Sequence, residues 1–187
     1  MIVSLNEVEV LACKAFAGAG RQWGLAQEAG RAVAVLEARK LAGASSLLAL
    51  IQATDAVLSD DLRPVTTSAS VWQARHSLCP ILVGAFIADM GGVSKPVTLM
   101  RVHVPILLVP FLSGCELAGH LSSACCEHVF IEPCSAPMRH DEVEYTGPVD
   151  IEDEIWEGLS TFAHRTYVPA SEASRLKGAG AGLTDND

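Results

Sequence analysis

Basic residues are scarce in this 187-residue chain. Thirteen lysines and arginines face twenty-two aspartates and glutamates, a formal net charge of −9. Nucleic-acid affinity comes mostly from cations meeting phosphates, so no nucleic-acid surface is expected. The same deficit argues against an anionic membrane patch. Long apolar runs are missing too. The longest uncharged one, Val104 to Leu112, falls well short of the roughly 20 residues a spanning helix needs. Met1 to Glu7 carries neither a basic nor a long apolar region. No secretory signal is therefore expected, and a cytoplasmic location is. Catalytic signatures are also wanting. There is no Gly-x-Ser-x-Gly, His-Glu-x-x-His or calcium loop, and no Gly-Lys-Ser/Thr of a phosphate loop. The residues thus specify no reaction and no cofactor.

What is present predicts a packed chain. Half of the residues are hydrophobic, 19% are charged, and the mean hydropathy is +0.31, which excludes global disorder. The length suits a single domain over 1–187. Ser4-Leu5-Asn6-Glu7 has the form of a capping box, and Val3 and Val8 stand at the two positions of a hydrophobic staple. Leu5, Val8, Leu11, Ala12, Ala15 and Ala19 follow at helical spacing, and Gly18 and Gly20 end the helix. A second helix is predicted from Gly24 to Lys40 with Gly43 as its stop, and a third from Ser46 to Leu58.

Beyond Arg63-Pro64 the pattern changes. Val65 to Ser70 is rich in Thr and Ser and extended; Val71 to Leu78 suits either strand or helix. An apolar run, Ile81 to Asp89, ends at the Gly91-Gly92 turn. Strands are predicted over Val97 to Val104, Ile106 to Leu112, His128 to Ile131 and Glu142 to Tyr145. Along the first of these, Leu99, Arg101 and His103 should share one face. A last helix follows Asp150, with Ile151, Ile155, Leu159 and Phe162 as its stripe. Helices first, strands next and a helix last predict an α+β fold: a helical unit (1–60) on a mainly antiparallel sheet (65–147), closed by a C-terminal helix and tail (150–187).

Candidate sites are few. Cys115, His120, Cys125, Cys126, His128 and Cys134 crowd one stretch, but Cys126-x-His128 is too tight for a zinc knuckle, and no metal is expected. Cys79, three residues after His76, and Cys126 could be nucleophiles; free cysteine is far more often a small buried apolar residue. Trp23 suits either a ligand or, more often, the corner between the first two helices. Arg101 and His103 could meet an anion or the chain's carboxylates, and the carboxylates are favoured. In the tail, Gly178, Gly180 and Gly182 follow Arg175 and Lys177, and successive glycine amides can form an anion-binding nest. A flexible and an ordered tail are evenly matched on this reading.

Two segments carry a resemblance. Ser4 to Glu9 leading into Trp23 to Gly30 is one; Phe162 to Arg175 with Gly178 to Asp187 is the other. Together the chain resembles a bacterial family known only as a domain of unknown function, with no assigned activity. The resemblance implies an ordered, functional tail. The first helix pair is also similar to the opening helices of the malate/lactate dehydrogenase family unrelated to Rossmann enzymes. That family's Ser-His-Gly is missing; Ala42-Gly43-Ala44-Ser45-Ser46 stands there, so hydride chemistry is not expected.

Two functions follow as expectations. The first is a small-molecule-binding or assembly protein, homo-oligomeric because its high apolar fraction carries no catalytic signature. The second is an enzyme acting on a small anionic metabolite between the first helix pair and the tail. Its candidate residues are Trp23, Glu28, Arg165, Tyr167, Ser171, Glu172, Arg175, Gly178, Gly180 and Gly182, with Arg175 neutralising the anion and Glu172 as base.

Overall fold

The computed structural model describes residues 1–112, 115–118, 125–133 and 147–167. The strand expected over Glu142 to Tyr145 and the tail from Val168 onward lie outside them.

Strand β1 (Ile2–Val3) runs into helix α1 (Leu5–Gly18) through the expected capping box. Ser4 Oγ accepts from the Glu7 amide at 3.2 Å, and Glu7 Oε2 accepts from the Ser4 amide at 2.8 Å. The Ser4 amide and the Ser4 hydroxyl, which donates to Glu7 Oε2 at 2.7 Å, hold the Glu7 carboxyl below its ordinary range. Val3 and Val8, the staple pair, are both buried. At the other end Gly20 (φ 82°) lets the Arg21 amide donate to Phe16 O at 3.3 Å, which closes the last turn.

Helix α2 (Trp23–Ala38) and helix α3 (Gly43–Thr54) depart from their predicted limits. Lys40 takes the left-handed conformation (φ 58°) that glycine usually supplies, and the Leu41 amide donates to Leu36 O at 2.9 Å. Gly43, expected to stop α2, instead opens α3 after a second left-handed residue, Ala42 (φ 50°). Lysine carries no turn signal, so local pattern alone does not announce this reversal.

Strand β2 (Val71–Trp72) precedes helix α4 (Pro80–Asp89). Pro80 fits the first helical turn, where its missing N–H costs nothing. Strand β3 (Val97–His103), strand β4 (Cys115–Ala118) and strand β5 (Cys125–Pro133) complete a four-stranded sheet in the order β2-β3-β5-β4. Its β3–β5 and β5–β4 pairings are antiparallel and its β2–β3 pairing is parallel. Strand β6 (Val149–Asp150) pairs antiparallel with β1 and leads into helix α5 (Asp153–His164). The fold is α+β, as expected.

Two sequence expectations are corrected here. Ile106 to Leu112 is not a strand. Pro105 to Phe111 is a 3-10 helix entered through Val104 at φ 44°. Pro105 and Pro110 lack the N–H groups a central strand must donate. The alternation along β3 also breaks. Leu99 and Val102 are both buried while Arg101 (φ 50°) is exposed, so Leu99, Arg101 and His103 do not share one face.

The 3-10 helix decides how the molecule is joined. Leu107 and Phe111 enter a core built by α1, α2, α3 and α5, while Leu108 and Leu112 enter a second core beneath the sheet. Helix α4 straddles the same seam, with Ile81 in the first core and Val83 and Ile87 in the second.

The α1–α2 corner is filled by Arg21, 5% exposed, and not by Trp23, which is 57% exposed. The guanidinium reaches the end of α3: Nη2 donates to Thr54 O at 2.7 Å, and Nη1 to Val57 O at 3.0 Å and Ser59 Oγ at 3.1 Å. Arg21 thereby gives Thr54 O a second donor beside the Val57 amide, and supplies a donor to Val57 O just past α3.

Candidate functional site

Of the ten residues proposed from sequence, Trp23, Glu28, Arg165 and Tyr167 are among those the structure describes. On α2, Trp23 is exposed and Glu28 is half-buried, and Glu28 is paired with Arg31 at 3.0 Å. Arg165 and Tyr167 stand together just beyond α5. Arg165 Nη1 donates to Asp55 Oδ1 at 2.6 Å, and its guanidinium lies 4.3 Å from the centre of the Phe162 ring. The Lys14 ammonium sits 5.5 Å from the centre of the Tyr167 ring. Ser171, Glu172, Arg175, Gly178, Gly180 and Gly182 lie outside the described residues.

The cysteine expectations resolve in part. Cys79 is buried at the start of α4, and that burial pushes its thiol up, away from the thiolate a nucleophile needs. Cys126 Sγ donates to His128 O at 3.0 Å, and Cys115 Sγ accepts from the Val93 amide at 3.5 Å. Among the described residues no three His, Cys, Asp or Glu side chains converge as metal ligands. His120 and Cys134, and the side chain of Cys125, are outside that description.

A cavity of about 540 Å³ opens elsewhere, between the α2–α3 turn and the β6–α5 entry. The two left-handed residues shape its rim: Lys40 and Ala42 both line it. Ser45, in the first turn of α3, contributes a hydroxyl that donates to Ala42 O at 3.1 Å. Across the opening stand Asp150 and Glu152, both exposed, with Ile151 and Ile155 as apolar wall. Asp150 Oδ1 also accepts from the Met1 ammonium at 3.1 Å.

The inner wall carries Glu37, 8% exposed. Its Oε1 accepts from the Ala44 amide at 2.7 Å, so the carboxylate occupies the positive end of α3 as a cap supplied from the preceding helix. Burial raises the Glu37 carboxyl above its ordinary 4.5, against the lowering pull of the Ala44 and Gly43 amides. No sequence motif announces this role. The nearest signal is the unexpected Ala42-Gly43-Ala44-Ser45-Ser46 after α2.

The raised value has a measurable consequence. Deprotonating Glu37 costs more in the folded chain than in the unfolded one. Its contribution to stability is therefore complete below about pH 4.5 and is lost as pH rises through the higher folded value. Comparing the wild type with Glu37→Gln across the acid-to-neutral range isolates this group. The difference in unfolding free energy should change by up to about 1.4 kcal/mol per pH unit over that window. A pH-independent difference would show that the carboxyl titrates normally.

Chemically, the cavity lining holds three carboxylates and the ammonium of Lys40, and the Met1 ammonium already sits on Asp150. Because Glu37 neutralises the α3 end internally, the helix terminus offers an incoming anion little. A cation meets Glu152 at the mouth, beside the Asp150 carboxylate that the Met1 ammonium holds.

No helix among the described residues is long and apolar enough to cross a membrane. No curated protein and no solved structure matches the chain. The second motif of the sequence resemblance, from Phe162 on, lies outside the stretch that matches a family model. Residues 3–79, which hold the first motif and run from β1 to the residue before α4, match the family model described as Protein of unknown function (DUF3726), the uncharacterised kind of family that motif implied.

Proposed function

We propose that the protein is a small-molecule-binding protein, and that the cavity beside α3 takes a ligand bearing an amine. Its volume lies within the roughly 300–1,000 Å³ of typical ligand sites. The observation that carries the reading is the buried carboxylate of Glu37 on the inner wall, with Asp150 and Glu152 at the mouth. Ile151 and Ile155 would cover the ligand's carbon skeleton. An amine in this cavity replaces its water partners with carboxylate oxygens, which are the strong hydrogen-bond acceptors for a cation.

Titration calorimetry at low salt tests it, with putrescine and spermidine as probes and succinate as the anionic control. Saturable one-to-one binding of an amine and none of succinate is expected. Glu152→Gln should weaken the amine by about fivefold, the scale of one exposed charge contact of about 1 kcal/mol. Binding of succinate in preference to the amines, or no saturable heat from either, would remove the reading.

A further inference from the structure

The Thr/Ser-rich stretch before β2 and the Gly91-Gly92 turn after α4, both conspicuous in the sequence, meet around a second cavity of about 480 Å³. Its chemistry is opposite to that of the first. Hydroxyl-bearing Thr67, Ser68, Ser70 and Ser94 line it, Lys95 is its one ionisable lining residue, and Trp72 and Met90 form an apolar side. In a chain with twenty-two acidic residues against thirteen basic ones, a lining without a carboxylate is a local inversion of charge. Among the described residues the Lys95 ammonium has no ion-pair partner, and the hydroxyls of Thr67, Ser70 and Ser94 have no hydrogen-bond partner.

The walls are held by the fold. The Thr98 amide donates to Ser70 O at 2.8 Å, which ties the first wall to β3. The Gly92 amide donates to Ile87 O at 2.9 Å, which ties the second to α4. Trp72 Nε1 donates to Ala69 O at 2.9 Å, and its ring packs against Phe86 with centroids 5.7 Å apart, so the indole is fixed in place. A cavity whose walls are already ordered loses little entropy on binding.

We infer that this cavity is a second binding site, for a small organic anion: a carboxylate or phosphate group met by Lys95 and the hydroxyls, on an apolar or aromatic body laid against exposed Met90 over a floor of buried Trp72 and Val97. Hydroxyl donors and one cation suit an anionic head, and no lining carboxylate repels it. The site is independent of the amine reading, because no residue lines both cavities.

Calorimetry on the full chain tests the inference, with phenyl phosphate as the probe, inorganic phosphate as the headgroup alone and benzylamine as the cationic control. Phenyl phosphate should bind saturably, more tightly than inorganic phosphate, and benzylamine should not compete. Lys95→Glu alters an exposed side chain and should leave the melting temperature in place while weakening phenyl phosphate by at least about tenfold, or 1.4 kcal/mol. Glu152→Gln should leave phenyl phosphate binding unchanged, which separates this site from the first cavity. Unaltered affinity in Lys95→Glu, equal binding of benzylamine, or no saturable heat at millimolar phenyl phosphate would overturn the inference.

Discussion

Replacing Gly18 by alanine is expected to lower the unfolding free energy by about 3 kcal/mol, at the upper end of what overpacking costs. Gly18 ends α1 where that helix meets the last turn of α5. A Cβ there would stand 1.9 Å from the Phe162 carbonyl oxygen and 2.8 Å from its carbonyl carbon. Those atoms are backbone, so no rotamer change relieves the contact and one helix must move. Phe162 O also accepts from the Arg165 amide at 3.1 Å, and the Phe162 side chain is buried in the helical core. A shift of α5 would disturb both. For a chain of this size the loss corresponds to a fall of roughly 6–12 °C in melting temperature. Gly24→Ala is the control. Gly24 lies in the first turn of α2, where an added Cβ would meet nothing within 4 Å, and the change should stabilise by about 0.5 kcal/mol through the unfolded state. Equilibrium urea unfolding of both variants reads the difference. A Gly18→Ala loss below about 1 kcal/mol would mean that α1 and α5 do not meet this closely.

Arg21→Ala should cost a similar amount, about 3 kcal/mol, by a different route. The guanidinium donates to Thr54 O, Val57 O and Ser59 Oγ, and the Thr54 bond is fully buried. Removing it leaves Thr54 O with only the Val57 amide at 3.0 Å, takes the donor from the part-buried Val57 O and Ser59 Oγ, and leaves a void at the α1–α2 corner. Burial holds the Arg21 guanidinium below its ordinary basicity, and its Nε has no partner among the described residues, so part of its gain is already offset by desolvation. Lysine keeps the charge but lacks the fork that reaches Thr54 and Val57 together. Arg21→Lys should therefore recover less than half of the loss. Recovery of full stability in the lysine variant would show that charge alone, and not the paired donors, holds the end of α3.

Positions whose roles are local are legible in the sequence. Ser4 and Glu7 cap α1 by contacts three residues apart, and Gly20 and Gly91 reverse the chain where only a positive φ serves. Pro80 opens α4 for an equally local reason. The candidate site is legible in outline only. The odd residues after α2 stand out, but Glu37 does not, because a glutamate inside a helix looks like any solvated one until the next helix is folded against it. Arg21 takes the corner expected of Trp23 for a related reason: average habits put tryptophan in corners, and the carbonyls around the end of α3 draw the guanidinium in instead.

Helix periodicity, caps and the order of elements follow from contacts within a few residues, and the amino-acid sequence alone determined these, together with the α+β class. Tertiary structure decided the rest. It made Pro105 to Phe111 the seam between two cores, put Lys40 and Ala42 in left-handed conformations, and faced Glu37 toward Asp150 and Glu152 from the far end of the chain. Those features depend on which surfaces are pressed together and which polar groups are thereby cut off from water, and that is settled only when distant segments pack.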